Sequence, residues 1–343
     1  MIAAVLTEYG KPLTLATVPD PKCPPGGALI RVAAAGVCRT DPHVQHGRLR
    51  DLVPLEFPHV LGHEIAGHVE ETGPWADGPA PGTLVTVYGA VHCGRCPQCR
   101  RGCQQLCGNG SWLGLGPGGG YAELVAVPHA RQLIPLDGID PAEGAVLTDA
   151  GATSYRAVQH VTDRLTPDSV LVVIGLGGLG RYAVQLARLL TPALIVCAVR
   201  DATAKAPLAR ELGAHEVVDL REQDAVASLR EMCPHGAADA VIDLVTADNT
   251  ISFARDVLAP GGIHVAAGLD NGTIPFGWDT VPLESVHLST FWGSLHDLHD
   301  VLAMRRRGLI RSDVRTRPLT EINEVFDDLA HSRTPGARIA VVP

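Results

Sequence analysis

Lysine is nearly absent from this chain. Only Lys11, Lys22 and Lys205 stand among its 28 basic residues, a bias that carries no functional reading of its own. Positive charge is short overall: 37 acids against 28 bases give a net charge of −9. A surface so poor in cations argues against nucleic acid or an anionic membrane as partner. Charged residues make up only 19% and hydrophobic ones 46%, which excludes a disordered tail protein. No apolar run approaches the ~18 residues that would span a bilayer. The opening MIAAVLTEYGKPLTL has no basic flank leading into a long apolar stretch, so it reads as a strand and not as a secretory signal. A soluble cytoplasmic protein is the expectation. There is no internal repeat and no low-complexity tract, because 37 Gly and 26 Pro in 343 residues stay below that level.

Cysteine, by contrast, is plentiful and clustered. Five of the nine (Cys93, Cys96, Cys99, Cys103, Cys107) fall in one short segment. In a cytoplasmic chain that favours a metal over disulfides. Cys93-x2-Cys96-x2-Cys99-x7-Cys107 offers four thiolates to one tetrahedral zinc, and leaves no position for water, so the site is expected to be structural. Cys103 is spare. A free-thiol loop or a redox pair is the alternative, but a redox motif needs only two cysteines.

A length of 343 residues suggests two domains, and the texture changes near residue 145. Before it, short β-like runs (ALIRVAAAGV, HVLGHEIAGHVEETG, GTLVTVYG) alternate with Pro/Gly turns, as in an all-β, barrel-like unit. Residues 74–120 read as loop. After residue 145 strands and helices alternate: strand 169–175, helix 179–190, strand 194–199, helix 206–214, then strands 216–220, 238–245 and 261–268. This is the pattern of a doubly wound parallel sheet. A strand at 286–294, helices near 295–308 and at 321–332, and a final strand ARIAVVP complete the chain.

Gly175-Leu176-Gly177-Gly178-Leu179-Gly180 follows a predicted strand and opens a predicted helix. In that context the first Gly allows a tight turn, the second lets the backbone approach a pyrophosphate, and the third lets helix and strand pack closely. The helix N-terminus supplies amide donors. The plain alternative is a Gly-rich turn without ligand. A second donor set, Cys38, His63, Glu64 and Asp149, is dispersed, and spacing alone says little: a lone buried Cys is usually a small hydrophobe. Three such ligands plus water would make a catalytic zinc.

Local words raise that reading. Gly36-Val-Cys38-Arg39-Thr40-Asp41-Pro-His43, then Gly62-His63-Glu64-x-x-Gly67-His68-Val69, the four-cysteine loop and GLGGLG follow one another in order over nearly the whole chain. Together they resemble the zinc-dependent medium-chain alcohol dehydrogenases. LTDAGATSYRAV (147–158) and FWGS (291–294) resemble the bacterial secondary-alcohol branch, which places Asp as third zinc ligand, here Asp149. The resemblance implies an α/β protein. Residues 1–146, joined by the returning 295–343, would form a GroES-like β-barrel catalytic domain, and 147–294 a Rossmann domain. It implies two zincs per chain, a homo-oligomer (tetramer or dimer) and a small-molecule alcohol or ketone as substrate.

The implied chemistry is hydride transfer from a zinc-bound alkoxide to a nicotinamide. Cys38, His63 and Asp149 would hold the catalytic zinc, on which an alcohol loses its proton near neutral pH. Glu64 resembles an occasional ligand approaching from behind, or is a salt-bridged carboxylate beside it. Thr40 would accept the alcohol proton and pass it through the ribose to His43, a base whose ordinary pKa near 6.5 suits the task. The plain alternative for Thr40 is an ordinary strand or turn hydroxyl, against which its position two after Cys38 argues. Asp41 would orient His63. Arg39 and Arg338 resemble pyrophosphate contacts, or are solvated surface residues. Thr153, Gly268 and Leu269 group with the cofactor-binding residues. Thr40, Phe57, Trp112, Phe291 and Trp292 are expected to line a pocket for a neutral secondary alcohol, unless they are plain core.

The strand LIVCAV ends at Val199. Arg200 follows, where NAD-using proteins of this fold carry an acid for the ribose. A guanidinium suits a 2′-phosphate, and Lys205 is near, so NADP is favoured over NAD. A one-residue shift would put Asp201 at the ribose instead. Two alternatives stand beside this reading: a polyol or sorbitol-type dehydrogenase, and a non-catalytic NADP(H)-binding protein with only the structural zinc. The latter would be expected to lack the Cys38, His63, Asp149 set.

Overall fold

The computed structural model describes residues 1–331, 333 and 337–343. The expected helix end at residue 332 lies outside them. The chain divides into two units, Met1–Ala152 with Gly293–Pro343, and Thr153–Trp292.

In the first unit the opening residues form a hairpin and not one strand. Ile2–Leu6 pairs antiparallel with Thr14–Thr17, and His59–Val60 adds a third strand. The main sheet runs Leu133–Pro135, Leu84–Val87, Glu64–Thr72, Ala28–Gly36, Arg338–Val342, Val314–Pro318, with Leu124–Val127 also on Ala28–Gly36. All its pairs are antiparallel except Val314–Pro318 with Arg338–Val342. One register matters for function. Gly36, at the end of one strand, faces Glu64, at the start of the next.

The segment 74–120, expected to be loop, contains short elements. Leu84–Val87 is in the main sheet, as the run GTLVTVYG predicts, whereas the pairing of Ala90–Val91 with Ser111–Trp112 and the helical turn Pro97–Arg100 were not expected. Two-residue ladders are too short to show a period. The turn forms because Cys96 accepts a hydrogen bond from the Cys99 amide and Pro97 occupies the first helical position.

The second unit is a six-stranded parallel sheet in the order Glu216–Asp219, Leu194–Val199, Val170–Ile174, Ala238–Asp243, Leu258–Ala266, Val286–Ser289. Val170–Ile174 is apolar and buried at every position, as a central parallel strand covered on both faces must be. The expected helix 206–214 starts earlier, at Ala202, and contains Pro207. Asp201 caps it through the Ala204 amide, so the cap and not the proline sets its start. Helices Ala225–Met232 and Asp248–Val257 escape the sequence reading. The last strand stops at Ser289 instead of 294. The chain turns there, with Trp292 at φ +50°. Among the described residues no helix is long and apolar enough to cross a membrane.

Candidate active site

The Gly36–Glu64 register brings two words of the sequence together. Cys38 lies two residues past one strand and His63 one residue before the other. Both glycines of these words are needed for space: a Cβ at Gly36 would lie 1.9 Å from Glu64 Oε2, and one at Gly62 would lie 2.7 Å from the Tyr121 ring. The third donor comes from far along the chain. After helix Pro141–Val146 the backbone makes a π turn, Leu147–Gly151, in which the Ala152 amide reaches the Leu147 carbonyl. That turn carries Asp149.

The donors converge. Cys38 Sγ is 3.3 Å from Asp149 Oδ2, and His63 Nε2 is 3.5 Å from the same oxygen. With Glu64, all four ligand atoms lie within 4.8 Å of one another and all four residues are buried. Around a tetrahedral zinc with bonds of about 2.0–2.3 Å, S···O and N···O edges of about 3.3–3.5 Å are expected. The set therefore fits a zinc ion. Its charge points the same way. Burial, and the nearby Asp149 carboxylate, push the Cys38 thiol up, so a divalent cation would relieve the crowding of acidic groups.

Glu64 has another partner. Its carboxylate is clasped by Arg338, and both side chains are buried. Burial lifts Glu64 to about 7 against the pull of that guanidinium. Arg338 is thus no solvated surface residue, and of the alternatives for Glu64 the salt-bridged carboxylate matches this geometry.

Beyond the donors, Asp41 is fully buried and its Oδ1 lies 3.2 Å from His63 Nδ1. Burial by itself would lower the His63 pKa, but Asp41, Asp149 and Cys38 together hold it well above its ordinary value. Asp41 Oδ2 accepts the Cys38 amide at 3.0 Å and the Tyr121 hydroxyl at 2.7 Å. Tyr121 was passed over in the sequence. Its signal was a lone tyrosine in the glycine run GPGGGYAE.

Thr40 and His43 are three residues apart on the short helix Thr40–Gln45, and so share a face. Both are half-buried, whereas Arg39 is exposed. Thr40 Oγ1 lies 3.4 Å from Cys38 Sγ. Arg48, also missed, donates to His43 Nε2 at 3.2 Å. Of the expected pocket aromatics, Phe57 stands edge-on to Tyr9 and Trp112 lies in its short strand, both in the first unit. Phe291 and Trp292 make an edge-to-face pair in the second.

The cysteine loop forms a closed site. Cys93 Sγ is 4.0 Å from Cys99 Sγ and 3.6 Å from Cys107 Sγ, and Cys96 Sγ is 3.9 Å from Cys107 Sγ. Four sulfurs at about 2.3 Å from zinc would stand about 3.8 Å apart. Backbone amides of Arg95 and Cys96 pull Cys93 down to about 6, into the thiolate range at neutral pH. Cys103, the spare, is not in the cluster.

In the second unit the three glycines do different work. Gly175 has φ +94°; a Cβ at Gly177 would meet nothing within 4 Å; a Cβ at Gly180 would lie 2.0 Å from the Gly175 carbonyl. Helix Gly180–Leu190 begins without a side-chain cap at Leu179, so its first amides suit an anion. Leu176 is buried, and Ser154 donates to the Leu179 carbonyl. Thr153 is buried, Leu269 exposed, and the Gly268 amide is held by Thr246. Arg200 is exposed and Lys205 half-buried. Asp201, at φ +77°, caps Ala204 and lies 3.3 Å from Arg221.

The family model for the alcohol dehydrogenase GroES-like domain matches residues 24–138, and that for zinc-binding dehydrogenases matches 178–306. A protein of Sulfurisphaera tokodaii named NAD-dependent alcohol dehydrogenase is 37% identical over 99% of this chain and 100% of its own length. This chain belongs to the zinc-dependent medium-chain alcohol dehydrogenases. Another family member, the crystallised alcohol dehydrogenase of Aeropyrum pernix, covers 100% of both chains at 32% identity, with a TM-score of 0.93. A D-arabinose 1-dehydrogenase (NADP(+)) of Saccharolobus solfataricus is 31% identical over 98% of this chain and 96% of its own. The expected preference for NADP finds no support here. Two of the most similar relatives are named for NAD, against the argument from Arg200 and the nearby Lys205.

Proposed function

We propose that the chain oxidises a neutral secondary alcohol, or reduces the matching ketone, with zinc and NAD. One observation carries the proposal: Cys38, His63 and Asp149 are buried together at zinc-ligand distances. Three protein donors leave a tetrahedral ion one bond short, the mark of a catalytic site. Bound there, zinc supplies a Lewis acid that lowers the pKa of an alcohol toward neutrality. The chain's own groups do the rest. Thr40 takes the alcohol proton, and His43, on the same helix face, delivers it toward solvent. Asp41 holds His63 in place. The Gly175–Gly180 turn and the uncapped helix after it bind the pyrophosphate. Cys93, Cys96, Cys99 and Cys107 hold a second, structural zinc.

The non-catalytic alternative would have lacked the Cys38, His63, Asp149 set, which is present. A second reading, oxidation of a sugar or polyol, is favoured by the D-arabinose relative. A substrate panel of simple secondary alcohols against polyols separates the two. The proposal extends to a cytoplasmic homo-oligomer, tetramer or dimer, on the family resemblance. Asp149→Ala tests the core of it. One zinc of two should be lost and turnover should fall at least ~10²-fold, with the fold kept. Full zinc content with near-normal turnover would remove Asp149 from the ligand set.

A further inference from the structure

We propose that Tyr121 is a positioning residue for the metal centre, its hydroxyl fixing the Asp41 carboxylate that orients His63. This rests on the reading of Cys38, His63 and Asp149 as zinc ligands. The backbone first fixes where Tyr121 lies. The amides of Gly119, Gly120 and Tyr121 donate to the carbonyls of Val60, Gly62 and Leu61 at 2.9, 2.7 and 3.0 Å. Residues 119–121 are thereby laced to the segment that ends at His63. The Tyr121 ring covers Gly62: a Cβ there would lie 2.7 Å from the ring, and the φ of +98° is one that residues with side chains rarely adopt.

The hydroxyl then donates to Asp41 Oδ2 at 2.7 Å, with the Gly36 carbonyl a longer 3.3 Å away. The Cys38 amide donates to the same oxygen at 3.0 Å. Two donors on one oxygen set the plane of the carboxylate, and its other oxygen is left facing His63 Nδ1 at 3.2 Å. Asp41 is fully buried, so bulk solvent does not replace a missing donor. Without the phenol the carboxylate can turn about its Cβ–Cγ bond, and the imidazole loses its stop. Partners one bond removed from metal-bound histidines govern metal retention in this way. Burial and the Asp41 charge push the phenol's pKa well above its usual value, so it stays a donor at working pH.

Tyr121 also packs edge-on against Phe326, so a purely structural role must be separated. Tyr121→Phe keeps the ring and removes only the hydroxyl. The experiment follows zinc release from the holoenzyme to a chromophoric chelator, for wild type, Tyr121→Phe and Asp41→Asn. The four-cysteine zinc is the internal reference. Tyr121→Phe should speed the release of one zinc by about 10-fold, the low end of what such partners are worth, and leave the other unchanged. The absorption bands of cobalt placed in the faster site should shift with it. If Asp41→Asn speeds one zinc and Tyr121→Phe speeds neither, the proposal is wrong and the ligand reading stands. If both zincs loosen equally in Tyr121→Phe, the hydroxyl serves general stability and the proposal is again wrong. If Asp41→Asn leaves both rates unchanged, Asp41 does not orient a metal-bound His63 and the proposal is wrong; if the wild type itself releases only one zinc, the ligand reading falls and takes the proposal with it.

Discussion

Single side chains separate what this site needs from what merely surrounds it. His43 is half-buried, shares a helix face with Thr40 and receives the Arg48 guanidinium. If it ends the proton path, His43→Gln should retain both zincs and lose activity mainly below about pH 7, by ~10²-fold, the low end for general acid–base groups. An external buffer base should restore part of the loss. An unchanged pH profile would take His43 out of the mechanism. At this scale much was legible. Cys38, His63 and the four cysteines announce themselves as donors by residue type and neighbours. Tyr121 did not, because a buried tyrosine is ordinary and only the fold shows that its hydroxyl reaches Asp41. Arg338 was read as a phosphate contact or a surface residue, because nothing in the sequence tells an exposed arginine from one clasped by Glu64.

At the level of elements, the cysteine loop and the outer strands of the parallel sheet make separate predictions. Helix Pro97–Arg100 is one turn long and depends on its cysteines for shape. Cys96→Ser should cost more than about 4 kcal/mol if the metal is lost outright, the scale at which metal loss stands out among point mutations. Thermal unfolding would record it, with Asp149 chemistry in the surviving fraction intact. A stable variant that had lost only activity would contradict the structural role. In the sheet, His264 and His287 face each other on neighbouring strands, Nδ1 to Nδ1 at 3.3 Å. Burial, and the neighbouring His287, hold His264 down at about 4, against an ordinary 6.5. The unfolded chain therefore binds the extra proton between those values. Stability from a neutral His264 is complete above about pH 6.5 and drains away as pH falls toward 4, by up to about 3 kcal/mol. His264→Leu should flatten the fall in melting temperature between pH 7 and 4.5. Equal slopes in wild type and variant would dismiss His264 as the cause. Sequence alone identified the inner strands such as Val170–Ile174 because they are short apolar runs. It missed helices Ala225–Met232 and Asp248–Val257, whose apolar faces are short and interrupted by charge.

For the molecule as a whole, the two halves of the fold were readable and the cofactor was not. The change in texture near residue 145 reflects a real change of architecture, from antiparallel strands to a parallel sheet. Cofactor choice turns on one or two side chains at the end of a strand, and there Arg200 argues for NADP while two of the most similar relatives are named for NAD. Asp201 caps its helix and sits by Arg221, while Arg200 is exposed. With NAD as cofactor, wild type should show the higher kcat/KM with NAD, and Arg200→Asp should widen that margin by supplying a ribose acceptor. A charge-assisted contact is worth about 1.5–3 kcal/mol, or roughly ten- to 150-fold in preference. Wild type favouring NADP by such a factor, and reversed by the substitution, would restore the 2′-phosphate reading.

The π turn at Leu147–Gly151 makes the site sensitive to length. A π turn holds one residue more than an α-helical turn would over the same rise. Asp149 meets Cys38 and His63 only because that extra residue is there. Losing Thr148 would let the helix close regularly and swing Asp149 by about 100° around its axis, away from the other two donors. A gene losing three bases here would keep every zinc-binding residue in its alphabet and still lose the metal centre.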